Sequence, residues 1–492
     1  MKLLNKIVSL RRRKQSFLET TSPLAMRIIL FTLPLSLNAH LADKTIHDQY
    51  IGFLKENYNA KNFATIYHVL SPKIKQQMGE QQFVSYFNAY YYNRFGEFLK
   101  TEYIDKDKNY FYYTSFFQKD TLKLILGVNT LKEIEQIEFS PIRIKVLTKN
   151  LNYKTDNKLL TPLDSLIDTT VKDYILNGQN CGLSIGIIQN GETVFYNYGE
   201  TKKGTAELPT QKTIYEIGSI TKTFCGNLLA IAVTEKKISL DDDIRKYLPK
   251  GFKNLELNNQ PILIKHLANH TSGLPGIPTD IDSQKDYDIL NPYKNYTKQM
   301  VYNYLNTIIL AGEPGKVNNY SNLGMALLGL ILEDVYKKTF EELVVEKIGI
   351  PNKMSDTKIN LSDSQLTNFA DGHNEQGDYT NHWDFASLYA AGAIRSCASD
   401  MVNFINYNLL EADEATKLAH VTTFNNGSII ALAWHKMRRK TNKELIWHNG
   451  ATGGFTSFCG FIKEKKSGFV VLSNSSSRAD FIGLAIYNYL QK

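Results

Sequence analysis

Two Ser-x-x-Lys pairs in this 492-residue chain have the spacing of a nucleophile and its base. Acyl transfer needs a nucleophile, a base, a support for the base and donors for the developing oxyanion. Residues three apart share one helix face, about 5–6 Å apart at Cβ. A lysine so placed takes the serine proton when burial and neighbours lower its pKa. A helix N-terminus adds N–H groups near the negative charge. Ser219/Lys222 sits in TIYEIGSITKTFCGNLLAIAV, where a short apolar run precedes the serine, Gly218 permits a sharp turn and a long apolar helix follows. Ser355/Lys358 sits in a polar loop, PNKMSDTKINLSD, with no apolar helix behind it. Ser219 is therefore the candidate nucleophile, ahead of the alternative that it only caps a helix.

Tyr-x-Asn occurs at Tyr86, Tyr91, Tyr293, Tyr304 and Tyr320. Tyr320 stands apart because a turn containing Gly312, Pro314 and Gly315 delivers Tyr320-Ser321-Asn322 to the start of an apolar helix. Loops on rigid supports present polar groups in this way. His448-Asn449-Gly450 ends the apolar stretch ELIWHNG. A charged His448 would meet a substrate carboxylate. Gly450 would clear the strand edge for substrate, and the N–H of Ala451 would join that of Ser219 as an oxyanion hole.

Three other matches lack the context their chemistry needs. Gly182-Leu-Ser184-Ile-Gly186 spells a nucleophile elbow, which requires strand–turn–helix. Here Ser184 lies inside a strand that leads to a hairpin. His266 and His270 have metal-ligand spacing, but Leu267 stands where a zinc protease carries glutamate. They read as a structural pair flanking a turn. Asp241-Asp242-Asp243 reads as a cap for the following helix. No metal and no cofactor is expected.

The elements around these motifs fall into two units. Residues 1–42 read as a signal peptide or an N-terminal anchor: a basic stretch ends at Lys14, the apolar run Leu24–Leu37 follows, and Ala39 and Ala42 suit cleavage. Met26 is an alternative start. Residues 43–150 read as an accessory α+β domain, with helices over 43–59 and 62–95 and strands over 109–117, 121–129 and 134–144. It resembles the small cone-shaped domains related to nuclear transport factor 2. The polar stretch 149–158 reads as a linker. Residues 159–492 open with a helix, 163–176, and a hairpin turning on Asn190-Gly191, the strongest short hairpin signal. A mainly helical middle follows. Strands over 444–450, 454–464 and 468–475 and a helix over 479–490 close the chain. Helix and strands at both ends imply one sheet built from both, with the helical region against it and the cleft between them as the site.

Composition excludes little but points consistently. The net charge of +8 owes part of its excess to Arg11-Arg12-Arg13-Lys14, and no basic, aromatic-interleaved stripe suggests nucleic acid. Cys181, Cys225, Cys397 and Cys459 show no CxxC spacing and leave their pairing open.

EIGSITKTF, YSN and HNG, in that order, resemble the serine β-lactamase and D-alanyl-D-alanine peptidase superfamily, and most of all its class C-related branch. KISLDDDIRKYLP, ILIKHLANHTSGLP, AAGAIRSCASDM and HNGATGGFTSFCGFIKEKKSGFVVLSNS carry the likeness across about 165–492. The resemblance implies an α/β fold of that type: an antiparallel sheet flanked by helices, plus a mostly helical region. It implies Ser219 as acylated nucleophile, Lys222 holding the serine proton, Tyr320 as general base, and Asn322 binding a substrate amide. His448 replaces the lysine of a Lys-Thr-Gly motif, which is more familiar among the branch's peptidases and esterases. The expected activity is a D-alanyl-D-alanine carboxypeptidase or endopeptidase on a periplasmic or secreted protein. Its partner is a small-molecule or peptide substrate, peptidoglycan-like or β-lactam. A β-lactamase, an esterase and a penicillin-binding sensor without turnover are the alternatives. The oligomeric state is open.

Overall fold

The computed structural model describes residues 44–491, apart from 78–79, 81–82, 85–86, 93–94, 108–109, 120, 142–152, 177–181, 376 and 439–442. The stretch 1–42, read as a signal peptide or N-terminal anchor, and Cys181 lie outside the described residues. Two compact units divide the chain at 142/143. No helix among the described residues is long and apolar enough to cross a membrane.

The first unit packs helix α1 (Lys44–Asn59) against a four-stranded antiparallel meander, β1 (Phe98–Asp107), β2 (Tyr110–Phe117), β3 (Thr121–Val128) and β4 (Ile134–Pro141). Strict alternation of buried and half-buried residues along β2 is the signature of a sheet with one covered face. Strand β1 escaped the sequence reading because its charges mask the period and bulges between Phe98 and Lys100 and between Tyr103 and Asp105 break it. The single helical stretch read over 62–95 is not continuous. It breaks into α2 (Phe63–His68), α3 (Pro72–Gln77) and a π-helical turn, Phe87–Tyr92. Between α2 and α3 the backbone bonds to β4 instead: Ser71 N–H donates to Ile134 O and Ile134 N–H to Val69 O, both at 2.9 Å. Pro72 then restarts a helix at its first position, where a missing N–H costs nothing.

The second unit is built on an eight-stranded antiparallel sheet. Strands from both ends of the unit build it, the N-terminal pair at one edge. The hairpin β5 (Gly182–Gln189) and β6 (Glu192–Gly199) turns on Asn190 and Gly191, at φ +54° and +82°. β7 (Ile214–Glu216) and β8 (Arg395–Cys397) pair separately. The sheet continues through β9 (Phe424–Asn426), β10 (Ser428–Ile430), β11 (His435–Arg438), β12 (Glu444–Ala451), β13 (Thr456–Ile462) and β14 (Ser467–Ser473), in the order β9-β10-β11-β12-β13-β14-β5-β6. Alternate residues of β5 serve opposite faces. Leu183, Ile185 and Ile187 join a core with Ile167 of α4 (Pro162–Leu176) and Ile482 and Ile486 of α8 (Asp480–Leu490). On the other face, Gly186 and Gly468 make room for Val402 and Ile405 of α7 (Ala398–Leu410), which a Cβ would approach to 2.4 Å in each case.

The stretch 153–158 is not a free linker. Gly199 N–H donates to Lys154 O at 2.9 Å, and Asn197 bonds Asp156 through backbone and side chain at 2.8 and 2.6 Å. Polar residues were read as loop there, but their side chains saturate the edge of β6. Ser184 donates to Thr210 O and pairs with Tyr215 inside the fold. Asp243 caps the short helical turn at 244–247 by accepting from Arg245 N–H at 2.9 Å.

Helix α5 (Thr221–Thr234) and α6 (Asn322–Tyr336) are buried almost throughout. Phe224 of α5 stacks on Phe404 of α7 at 3.8 Å with the rings nearly parallel, at 5°. A polar chain ties the same elements together. Trp434 Nε1–H donates to Asn227 Oδ1 at 3.1 Å, and Asn227 Nδ2–H to Asn408 Oδ1 at 2.7 Å. His420 meets Asn408 at 3.1 Å and Glu411 at 2.7 Å. Truncating Phe404 to alanine should therefore cost about 3–5 kcal/mol of stability, read by urea denaturation. A loss below about 1 kcal/mol would show that this stack does not hold α5 against α7.

Candidate active site

A sharp turn between β7 and α5 carries Ser219. Gly218 has φ +49°, and Ser219 lies in the single 3-10 turn that runs into α5. A Cβ on Gly218 would sit 2.7 Å from the backbone nitrogen of Ala451. A Cβ on Gly450 would sit 2.1 Å from Ile217 O and 2.9 Å from the nitrogen of Ser219. Both glycines thus let the end of β12 lie directly on the nucleophile turn. At Gly450 the missing side chain makes room for protein backbone, a contact the sequence alone does not reveal. Ser457 of β13 locks the contact by donating to Ile217 O at 2.8 Å. These close approaches bring Gly450 and Ala451 of the strand directly against Gly218 and Ser219 of the turn.

Lys222 is fully buried one helical turn on. Its Nζ donates to Ser219 Oγ at 3.0 Å and to Ala391 O at 2.5 Å, and lies 4.8 Å from the centre of the Tyr320 ring. Burial holds its pKa well below the usual lysine range, and the nearest group acting the other way is only the Cys225 thiol. A neutral amine keeps a lone pair, and a serine hydroxyl turned toward it at this distance would make it the proton acceptor.

Tyr320 immediately precedes the cap of α6. Ser321 accepts from Gly324 N–H at 2.9 Å and donates to Pro275 O at 2.6 Å, which fixes the tyrosine at the helix mouth. Burial pushes the Tyr320 pKa up, and the neighbouring Ser219 acts the other way. Asn322 follows, its Nδ2–H donating to Tyr293 Oη at 3.2 Å. Its Oδ1 is buried with no protein partner, so it is the atom left for a substrate N–H.

His448 is buried on β12, with Nδ1 2.6 Å from Asn449 O. Its ring lies 5.0 Å from that of His435 and 6.4 Å from that of Tyr320. Burial, then His435 and Lys222, push its pKa well below the ordinary histidine value. Burial and these neighbours therefore favour the neutral imidazole over the charged one that a carboxylate contact would use. The cause is the company it keeps, all cationic or neutral, which no sequence motif reveals.

Several neighbours were not singled out. His270 was read only as half of a structural pair. Its partner His266 does accept Leu263 N–H at 3.1 Å. His270 itself packs on Tyr320 at 4.4 Å and accepts Ser321 N–H through Nδ1 at 3.2 Å. His435, pushed down to about 4 by burial, and Tyr293 also belong here. A Tyr-x-Asn match marked Tyr293, but its partner is Asn322, not the Asn295 of its own motif. Behind the nucleophile turn, burial pushes Glu216 up to about 7 even beside Arg395. Ser355 is an exposed loop residue. Cys225, Cys397 and Cys459 are buried and unbridged.

A family model described as Beta-lactamase matches residues 163–491. Protein flp of Staphylococcus aureus is 28% identical over 329 residues, 63% of this chain and 63% of that relative's length. A protein named Beta-lactamase from Pseudomonas fluorescens is 26% identical over 361 residues, 64% of this chain and 94% of its own. Among solved structures, a Beta-Lactamase/D-Alanine Carboxypeptidase from Pseudomonas syringae superposes with a TM-score of 0.57 at 22% identity. It covers 67% of this chain and 98% of its own. A protein of the same description from Yersinia pestis, complexed with citrate, gives 0.57 at 24% identity over 66% and 97%. These structures share the fold of the second unit: the antiparallel sheet, the flanking helices and the helical region.

Two substitutions test the geometry. Lys222→Met removes the amine and keeps the bulk, and should slow acylation of Ser219 by about 10²–10⁴-fold. Gly450→Ala drives a methyl into the nucleophile turn and should cost about 10²-fold or more. Both are read from the rate of covalent labelling, with melting temperature as control. Undiminished labelling in either would remove that residue from the machinery.

Proposed function

Because the chain belongs to the Beta-lactamase family, we propose that it is a serine hydrolase working through an acyl-enzyme on D-alanyl-D-alanine-type peptide amides of the cell wall. The observation that carries the reading is the buried Lys222 amine, 3.0 Å from Ser219 Oγ and, among the described residues, free of any ion pair. In this reading Lys222 takes the serine proton as Oγ attacks the scissile carbonyl. The N–H groups of Ser219 and Ala451 receive the oxyanion. Tyr320, kept protonated by burial, gives its proton to the leaving nitrogen and recovers one from Lys222. Asn322 bonds the substrate amide. Such chemistry suits a periplasmic or secreted protein, in keeping with the leader-like sequence before residue 43. Residues 43–150 would serve as an accessory or binding module.

One observation favours a second reading, an esterase on the same scaffold. The cationic candidates around Ser219, Lys222 and His448, are both held toward their neutral forms. A substrate without a free carboxylate then loses nothing by comparison with a peptide terminus.

Intact-protein mass spectrometry after incubation with a fluorescent penicillin, a D-Ala-D-Ala peptide and p-nitrophenyl acetate separates these readings, with Ser219→Ala as control. A penicillin adduct on wild type alone, with D-alanine released from the peptide, is the expected result. Rapid penicillin hydrolysis without a lasting adduct points to a β-lactamase. Turnover of the ester alone selects the esterase. An adduct that survives Ser219→Ala would mean another nucleophile.

A further inference from the structure

His448 is buried and its two ring nitrogens are not equivalent. Nδ1 lies 2.6 Å from Asn449 O, and a carbonyl only accepts, so Nδ1 carries the hydrogen. Nε2 is buried with no protein partner. The groups around the ring are Lys222 on α5, His435 on β11, His270 after the short helix 264–268, Tyr320 before α6 and Cys459 opposite on β13. None is a carboxylate, so nothing around the ring would draw a proton onto Nε2. Nε2 therefore presents a bare lone pair. Side chains alternate along β12, so His448 and Gly450 share one side of the strand, and Gly450 is the residue pressed against Ser219.

His270 has the opposite polarity. Its Nδ1 accepts Ser321 N–H at 3.2 Å, so its hydrogen is on Nε2. Of the two imidazoles flanking Tyr320, only His448 offers an acceptor.

We propose that His448 Nε2 is the base that activates the hydrolytic water when the Ser219 ester is broken. This rests on the acyl-enzyme reading and adds a role to it. Water attacks the acyl carbon and one of its protons passes to Nε2, making an imidazolium. The tetrahedral intermediate collapses and the carbon–Oγ bond breaks. Tyr320, which neighbours Ser219, gives its proton to Oγ and takes the one held on His448. The acid leaves, and serine, tyrosine and neutral histidine are restored.

The test is the decay of the acetyl-enzyme formed from p-nitrophenyl acetate, followed by intact mass, beside the rate of the p-nitrophenol burst. In the wild type, deacylation should be flat from about pH 7 to 9 and fall on acidification, because the base must be unprotonated. His448→Gln should keep the burst rate within about threefold and slow deacylation by about 10²-fold or more. A wild-type deacylation rate that falls as pH rises through neutrality would give His448 a cationic role and overturn the proposal. So would a His448→Gln enzyme that acylates slowly and deacylates at the wild-type rate. The wild-type pH profile decides the matter even if that variant fails to fold. Absence of any adduct with either p-nitrophenyl acetate or fluorescent penicillin removes the acyl-enzyme reading, and this proposal falls with it.

Discussion

A lysine amine enclosed by protein, with no carboxylate beside it, has only one comfortable state. Taking an unpaired ammonium out of water costs several kcal/mol, and a titratable group answers by releasing its proton. Lys222 is in that position. Its two hydrogen bonds, to Ser219 Oγ and Ala391 O, use donors that a neutral amine still has. The rest of the site is arranged so as not to restore the charge. The imidazoles nearby are kept neutral by burial, and Glu216, the acid closest in sequence to the nucleophile, is turned toward Trp383 and Arg395.

Holding that environment requires walls from distant parts of the chain. The nucleophile turn is clamped between β12 and β13, whose glycine and serine touch Ile217 O, and the segment around Ala391, which accepts from Lys222. The tyrosine comes from the mouth of α6. Steric exclusion at Gly218 and Gly450 sets the closeness of approach. A methyl at either place would have to displace backbone, which, unlike the far end of a side chain, has nowhere to go.

Much of this architecture was legible from local pattern. Asn190-Gly191 announced its hairpin through the positive φ that both residues adopt. The buried strands β12 to β14 and helices α4 and α8 were plain from apolar runs of the right length. The serine–lysine pair stood out because an apolar helix followed it. What failed had long-range causes. Strands β9 and β10 have three residues each, too few to show a period. Residues 153–158 read as linker because side chains that look solvated were saturating a strand edge. His270 and His435 could not be assigned to the site, since each reaches it through a fold-level crossing rather than a motif. His448 was found, but the burial and neighbours that lower its pKa are hidden by sequence separation.

The polar chain beneath α5 sets a direction that no single residue in it chooses. An indole N–H can only donate, so Trp434 obliges Asn227 to offer it oxygen and to turn nitrogen toward Asn408, 181 positions away in sequence. Asn408 must then answer with oxygen and send its own nitrogen to Phe404 O. His420 meets that same oxygen with Nε2, and must bring a hydrogen to it. Its Nδ1 faces the Glu411 carboxylate, so any proton there is an additional one, shared between ring and acid. The tautomer of a histidine that ends one short helix is thus dictated, through two amides, by a tryptophan just ahead of a strand, and grammar of this kind tolerates replacement of the whole phrase more readily than of one word.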